Sequence, residues 1–382
     1  EIMRYKNILI TGGAGFIGSG LALYLIQEGC TVTVLDNLSE QIHGTDPEKS
    51  SPLYRSVKDK VRFIHGTVTS RSDWEKAIGE SEVIVHLAAE TGTGQSMYQI
   101  SHYADVNIGG TALMLDLLAN QKTAVKKVII ASSRAIYGEG KYISAELGPV
   151  YPKHRIAADM DKGQFEVTYP GAVSPLQLVA TDEESKIHPS SVYGITKQNQ
   201  EQMVMTVCPT LGIAPVAFRY QNVYGPGQSL TNPYTGILSI FSTLVLNNKP
   251  VNIFEDGKES RDFVFISDVI RATFFGIEKE EANGQIFNVG TGIPTTVQEV
   301  AEGLIALYGK EVPVNVSGNY RLGDIRHNYA DMSKIENLLG FRPAVSFAEG
   351  LRQFTVWVKA QEVQTSRYDE SIAEMKAKGL MK

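Results

Sequence analysis

Cysteine is nearly absent from this sequence: Cys30 and Cys208 are the only two in 382 residues. Two cannot form a disulfide framework or a four-cysteine zinc site, and such sparing use fits a reducing, cytoplasmic setting. Excess positive charge is lacking as well, with 36 Lys and Arg against 42 Asp and Glu and a formal net charge of −6. No basic field is present to hold nucleic acid or an anionic membrane, so a phosphate-bearing ligand needs local Arg or Lys. Runs of about 18 apolar residues do not occur, and the first residues lack the apolar stretch of a signal peptide. Glu1 and Ile2 read as additions ahead of a natural start at Met3. The seven histidines show no metal-ligand spacing, so no metal is expected. Repeats and low-complexity tracts are missing too. What remains, 43% hydrophobic and 20% charged residues, is ordinary globular composition in an enzyme-sized chain.

Short, continuously apolar, β-branched runs at residues 6–11, 31–36, 61–66, 83–89, 127–133 and 214–220 read as strands covered on both faces. Residues 16–28, 72–79, 103–120 and 192–210 between them have helical spacing. This alternation predicts an α/β chain with a doubly wound parallel sheet, a Rossmann-type domain over residues 1–220. Beyond Gln221, helical patterns at 236–247, 267–279, 297–308 and 347–360 enclose strands near 251–254 and 285–289. They predict a smaller C-terminal α/β lobe over 221–365, mainly for substrate, and residues 366–382 read as a polar tail extending from the body. Residues 141–189 form an insertion too long for a plain connection. Its place before the 192–210 helix suggests a lid over the site, and a surface excursion is the alternative.

Thr11-Gly12-Gly13-Ala14-Gly15-Phe16-Ile17-Gly18 follows the first strand and opens the first helix. Gly12, Gly15 and Gly18 permit a tight turn, close approach of a pyrophosphate and close helix–strand packing. The helix N-terminus then faces the phosphate charge. Asp36 ends the second strand, where a carboxylate accepts both ribose hydroxyls of an adenosine and repels a 2′-phosphate. This favours NAD over NADP.

Tyr193-Gly194-Ile195-Thr196-Lys197 places a phenol and an ammonium at i and i+4 near a helix start, on one face. Ser132 and Ser133 end the fifth strand. An ammonium beside the phenol, with a cationic nicotinamide nearby, is expected to lower the tyrosine pKa toward working pH for acid–base catalysis. Ser133 can hold the same substrate oxygen. His86, at a strand end, reads as core, and Asp262 reads as an ion-pair partner of Arg261. Arg134 is either a substrate contact or solvent-facing.

These runs, together with HLAA at 86–89, Asn107 in DVNIGGT, SSRAIYG at 132–138, RYQNVYGPG at 219–227, SRDFVFISDV at 260–269 and NVGTG at 288–292, carry a resemblance. In the right order over about residues 4–360, they resemble the extended short-chain dehydrogenase/reductase family of NAD-dependent nucleotide-sugar epimerases and dehydratases. The resemblance implies that Gly12, Gly15, Phe16, Ile17 and Gly18 hold the pyrophosphate, and that Asp36 and Asn37 meet the adenosine ribose. Thr67 and Val68 fall at the adenine, although Thr67 stands where the family usually has Asp. Leu87, Ala88 and Ala89 would line the nicotinamide side, supported by Asn107. Ser133, Tyr193 and Lys197 match the catalytic triad, with Tyr193 and Lys197 also at the nicotinamide ribose. Tyr220 and Val223 would border the nicotinamide. Asn222, Arg261 and Arg326 match diphosphate-binding positions. Read from the residues alone, Thr91, Thr93 and Ser96 are either donors to sugar hydroxyls or plain turn residues, and Arg134 joins them as a candidate substrate contact.

The family's 4,6-dehydratases carry an Asp-Glu pair after the Ser133 position, and its decarboxylases a glutamate. Here Arg134-Ala135-Ile136 offers neither acid nor base. The resemblance therefore implies an isomerase, a 4-epimerase working by reversible hydride transfer through a 4-keto sugar. Residues 90–96 and 219–234 look most like epimerases of deoxysugar nucleotides such as dTDP-L-rhamnose. UDP-hexose 4-epimerisation, CDP-sugar 2-epimerisation and a non-catalytic NAD-binding scaffold or sensor are the alternatives. A homodimer is also expected. Enzymes of this kind pair the helices at 103–120 and 192–210 across a subunit interface, and here these carry Leu113, Leu117, Met203 and Val207.

Overall fold

The computed structural model describes residues 3–232, 234, 236–361 and 368–381. Its frame is a seven-stranded sheet of β1 (Asn7–Thr11), β2 (Thr31–Asp36), β3 (Arg62–His65), β4 (Val83–His86), β5 (Lys127–Ser133), β6 (Ala214–Tyr220) and β7 (Gln285–Val289). All pairs are parallel, in the order β7-β6-β5-β4-β1-β2-β3. β4 and β5 are buried along their whole length, which is why their sequences run apolar without alternating. The helices used below are α1 (Phe16–Gln27), α2 (Gly110–Asn120), α3 (Val192–Thr210), α4 (Ile266–Glu278) and α5 (Tyr368–Ala377). One face of the sheet packs with α1 and α4, the other with α2, α3 and Arg71–Ile78. Strand order reverses between β1 and β4, so their carboxyl ends open the crevice where such sheets bind ligands.

Four expectations change. Residues 103–120 are not one α-helix, because Ala104–Gly109 is a π-turn leading into α2. The turn buries Asn107 beneath the site, a common place for such an irregularity. β7, expected in the C-terminal lobe, instead completes the large sheet against β6, and α4 packs beside α1. An apolar run says that a strand is buried, not which sheet buries it. The chain thus leaves the Rossmann layer after β6 and returns at α4, so 221–365 is not one separate lobe. Lys127, fully buried, secures this return: its ammonium donates to the carbonyls of Gly276, Ile277 and Lys279 at 2.9, 3.0 and 3.3 Å. It satisfies orphan acceptors at the end of α4, and burial lowers its pKa to about 8.

The insertion is the third change. Tyr142–Ser144 pairs with Gly148–Val150 and Gln177–Leu178 over a small core of Tyr142, Val150 and Val167. It is bolted to the remaining lobe by Arg155, which reaches Glu255 at 2.5 Å, and by Glu166, which receives Arg326 at 2.6 Å. Finally, the tail does not extend away. α5 packs back on the body, with Met375 and Met381 buried and Leu322 N–H donating to the Leu380 carbonyl at 2.9 Å.

The rest of the lobe has Ile237–Leu246, Val297–Tyr308 and Phe347–Ala360 around Val251–Ile253, which pairs with Val314–Val316, a strand the sequence pattern does not reveal. Of the four residues expected at a subunit contact, Leu117 is buried in the chain's own core, and Leu113, Met203 and Val207 are half-buried. Among the described residues, no helix is long and apolar enough to cross a membrane.

Candidate active site

The turn after β1 is shaped so that only glycine fits at its two ends. A Cβ on Gly18 would stand 2.3 Å from the Gly12 carbonyl oxygen. Gly12 has φ +68° and would place a Cβ 2.9 Å from the Ala88 nitrogen. α1 starts with Gly15 as its cap and has no side-chain cap and no acid in its first turn. Its first N–H groups therefore remain for an anion. Asp36 braces the turn from β2, accepting from Ala14 N–H at 3.0 Å and Leu38 N–H at 2.8 Å. A carboxylate has about four lone-pair sites, which leaves capacity for ribose hydroxyls. Asn37 is exposed beside it. Farther along, Thr67 N–H is held by Asp73 at 2.9 Å and the Val68 carbonyl by Trp74 at 2.7 Å.

The nicotinamide side is held by threonine, histidine and asparagine. Thr11 Oγ1 accepts from Leu87 N–H at 3.0 Å and Ala88 N–H at 3.1 Å, and it touches His86 Nδ1 at 2.7 Å. His86 Nε2 meets Thr111 at 3.0 Å, and complete burial lowers the imidazole pKa to about 3. It is a structural core residue. Asn107 accepts from Glu90 N–H at 2.8 Å and donates to the Glu90 carbonyl and to Thr196, both at 3.0 Å. The 87–90 segment is thereby joined to α3. Tyr220 departs from expectation: its hydroxyl meets Thr273 at 2.7 Å inside the core, so its side chain is turned away from the site. Val223 packs half-buried against the same core.

Ser133, at the end of β5, is near enough to the Tyr193 phenol to favour its ionised form, while its Oγ accepts from Ala135 N–H at 3.0 Å. Ser191 caps α3 by accepting from Gly194 N–H at 3.0 Å, and Ser96 Oγ holds Tyr193 N–H at 3.0 Å. Lys197 donates to the Ala131 carbonyl at 3.1 Å and lies 5.9 Å from the Tyr193 ring centre. Within the chain alone, burial raises the Tyr193 pKa, opposed by the Ser133 hydrogen bond and the Arg134 charge. Burial lowers Lys197 to about 8. In the chain alone, desolvation outweighs these nearby groups, and the expected lowering included the charge of a nicotinamide.

Tyr193 also lines a cavity of about 270 Å³. Arg134, Asn222, Arg261, Arg321 and Asp324 line the same space. Asn222 Oδ1 and Arg134 Nη1 are buried in it with no protein partner. An unsatisfied buried polar atom is costly, so both keep hydrogen-bonding capacity that a ligand in the cavity could use. Burial, reinforced by Arg261, lowers the Arg134 pKa to about 9. Asp262 is not the partner of Arg261, since it accepts from Thr291, Gly292 and Ala330.

Two expected substrate residues are elsewhere. Arg326 is fully buried among carboxylates, bonding Glu166 at 2.6 and 3.1 Å and Asp256 at 2.7 and 3.0 Å. Its charge is already neutralised, and Arg321, five residues earlier, stands in the cavity wall instead. Thr91 is exposed, its carbonyl taken by the Tyr103 hydroxyl, and Thr93 is the lining threonine. Spacing does not distinguish two arginines flanking Gly323-Asp324-Ile325, and only packing does. None of residues 141–189 lines the cavity, so the structure gives the expected lid no contact with this space.

The NAD dependent epimerase/dehydratase family model matches residues 8–157 and 167–290. This chain belongs to that family. It is 37% identical over 360 residues to a dTDP-L-rhamnose 4-epimerase of Burkholderia thailandensis, covering 94% of this chain and 96% of that protein. The UDP-glucose 4-epimerase of Thermotoga maritima, solved with UDP-glucose, superposes with a TM-score of 0.73 at 30% identity over 93% of this chain and 99% of that one. A Bacillus cereus UDP-glucuronic acid 4-epimerase, solved with UDP-glucuronic acid and NAD, gives 0.75 at 26% identity over the same shares. As a member of the family, the chain is an NAD-dependent isomerase, and its glycine turn, uncapped α1 and Asp36 fit that dinucleotide.

Proposed function

We propose that this epimerase interconverts nucleotide sugars at C4, with dTDP-L-rhamnose and dTDP-6-deoxy-L-talose as its substrate pair. The observation that carries the reading is Tyr193, near Ser133 and beside Lys197, in the wall of a cavity whose Arg134-Ala135-Ile136 turn supplies no acid or base. The 37% identity to the rhamnose enzyme supports the sugar.

NAD, when bound, supplies the acceptor and donor of the C4 hydride. Tyr193 Oη takes the proton from the sugar's 4-hydroxyl and later returns it, while the Ser133 hydroxyl holds that oxygen. The Lys197 ammonium favours the phenolate. Asn222, Arg261 and Arg321 hold the diphosphate, and the sugar turns about that anchor between the two transfers. C3, C5 and C6 take no part.

The test is to incubate the NAD-loaded protein with a panel of nucleotide sugars in D₂O and read the products by NMR. Epimerised product without deuterium at C3, C4 or C5 supports the mechanism, and label at C3 or C5 refutes it. Turnover of UDP-hexoses or CDP-sugars alone would reassign the substrate, and no turnover at all would leave a scaffold or sensor. A second reading rests on Arg134, whose buried, unpartnered Nη1 suits a carboxylate on the sugar. UDP-glucuronic acid in the panel decides between them. The homodimer, through α2 and α3, belongs to the same proposal, and a monomeric mass by light scattering at micromolar concentration would refute it.

A further inference from the structure

Of the described residues from 370 on, Ser371, Met375 and Met381 are the buried ones, and the first two line the cavity. Spaced i and i+4, they share one face of α5. This helix spends its buried side chains on the cavity rather than on the core. Met375 sits close against the 92–94 turn, since a Cβ on Gly94 would meet its sulfur at 2.9 Å. Glu374 accepts from the Tyr234 hydroxyl, which meets the Tyr98 hydroxyl at 2.6 Å, and Lys378 lies 5.6 Å from the Tyr98 ring centre. Beyond the helix, Leu322 N–H bonds the Leu380 carbonyl at 2.9 Å, and Arg321 pairs with Met381 as an antiparallel bridge. α5 therefore spans from Arg321 to the loop whose Ser96 holds Tyr193. Met375, against the 92–94 turn, stands toward the Tyr193 end of that span, where the sugar would react.

We propose that Ser371 and Met375 contact the bound sugar and set its selectivity, Ser371 by a hydroxyl bond and Met375 as an apolar wall. This rests on the reading of the cavity as a nucleotide-sugar site. The substrate then binds more tightly when α5 is docked, and its binding in turn secures α5.

The experiment compares the full chain with one ending at Gln361, both NAD-loaded, by calorimetry with dTDP-L-rhamnose and with dTDP. Loss of about tenfold or more in affinity for the sugar nucleotide, with dTDP and NAD affinities within about twofold, is the expected result. Equal loss for dTDP and dTDP-L-rhamnose would overturn the assignment to the sugar, and unchanged affinity for both would overturn the contact itself. A parallel fall in NAD affinity or Tm would show a purely structural helix and also overturn it. If the shortened chain does not fold, the double variant Ser371→Ala, Met375→Ala in the full chain is measured in the same way. If the full chain prefers another nucleotide sugar, the substrate reading fails. The comparison is then run with that sugar nucleotide and its own nucleoside diphosphate, and still decides the role of α5.

Discussion

The cofactor end and the sugar end of this site are held by different means. At the cofactor end the main chain is shaped and pinned: Gly12 and Gly18 let segments approach closely, and the side chains of Thr11 and Asn107 hold backbone N–H groups in place. Around the cavity proposed for the sugar nucleotide, side chains from distant segments converge, with Thr93, Arg134, Asn222, Arg261, Arg321 and Met375 in its lining. A scaffold made of main chain can serve a cofactor common to a whole family, whereas a wall made of side chains can be rebuilt for each sugar.

Substitutions at the two ends should therefore separate cofactor affinity from sugar affinity. Tyr193→Phe, where the ends meet, should lower kcat by ~10²–10⁴-fold while a titration shows NAD binding little altered. Arg326→Ala should cost about 3–5 kcal/mol of unfolding free energy, because it strands buried Glu259 and leaves buried Glu255 with Arg155 alone. A raised KM with unchanged denaturant midpoint would instead return Arg326 to the diphosphate. Asp36→Ala should weaken NAD by about 1.5–3 kcal/mol in direct binding, leaving nucleotide-sugar affinity alone. Arg321→Ala should do the reverse, raising KM for the sugar nucleotide about tenfold at constant Tm.

The smallest effect is a pH dependence at the cofactor end. Folded, His86 takes up a proton only near pH 3, against 6.5 for the ordinary side chain. The unfolded chain thus binds more protons between these values. The contribution of His86 is fully present above about pH 6.5 and is lost as pH falls toward 3, by about 1.4 kcal/mol per unit. Urea unfolding at pH 7 and 5.5 should show a difference that His86→Gln lacks.

The legibility of the sequence followed the same division. Lys127–Ser133, Ala214–Tyr220 and Val192–Thr210 form with the bounds their patterns predict, because buried strands and a Ser-capped helix advertise themselves locally. The glycine turn and Tyr193 with Lys197 are likewise contiguous. Arg326 was misplaced and Arg321 missed because both flank one turn, and the choice lies in the carboxylates that the insertion and the lobe bring to Arg326. Tyr220 looked available at a strand end, and its orientation depends on Thr273, over 50 residues away. The tail was read as leaving the body because its two anchoring methionines lie in a polar sequence. Nothing local tells an anchor from a lone apolar residue.

The late return of β7 to the sheet bears on how the chain is made. During synthesis β6 emerges long before its neighbour, and its outer edge stays unpaired until residue 289 has left the ribosome. For that interval an apolar strand is open to pairing with other nascent chains. Fragments ending between β6 and α4 should therefore precipitate, and in them Lys127 also lacks the α4 carbonyls that accept from it in the folded chain.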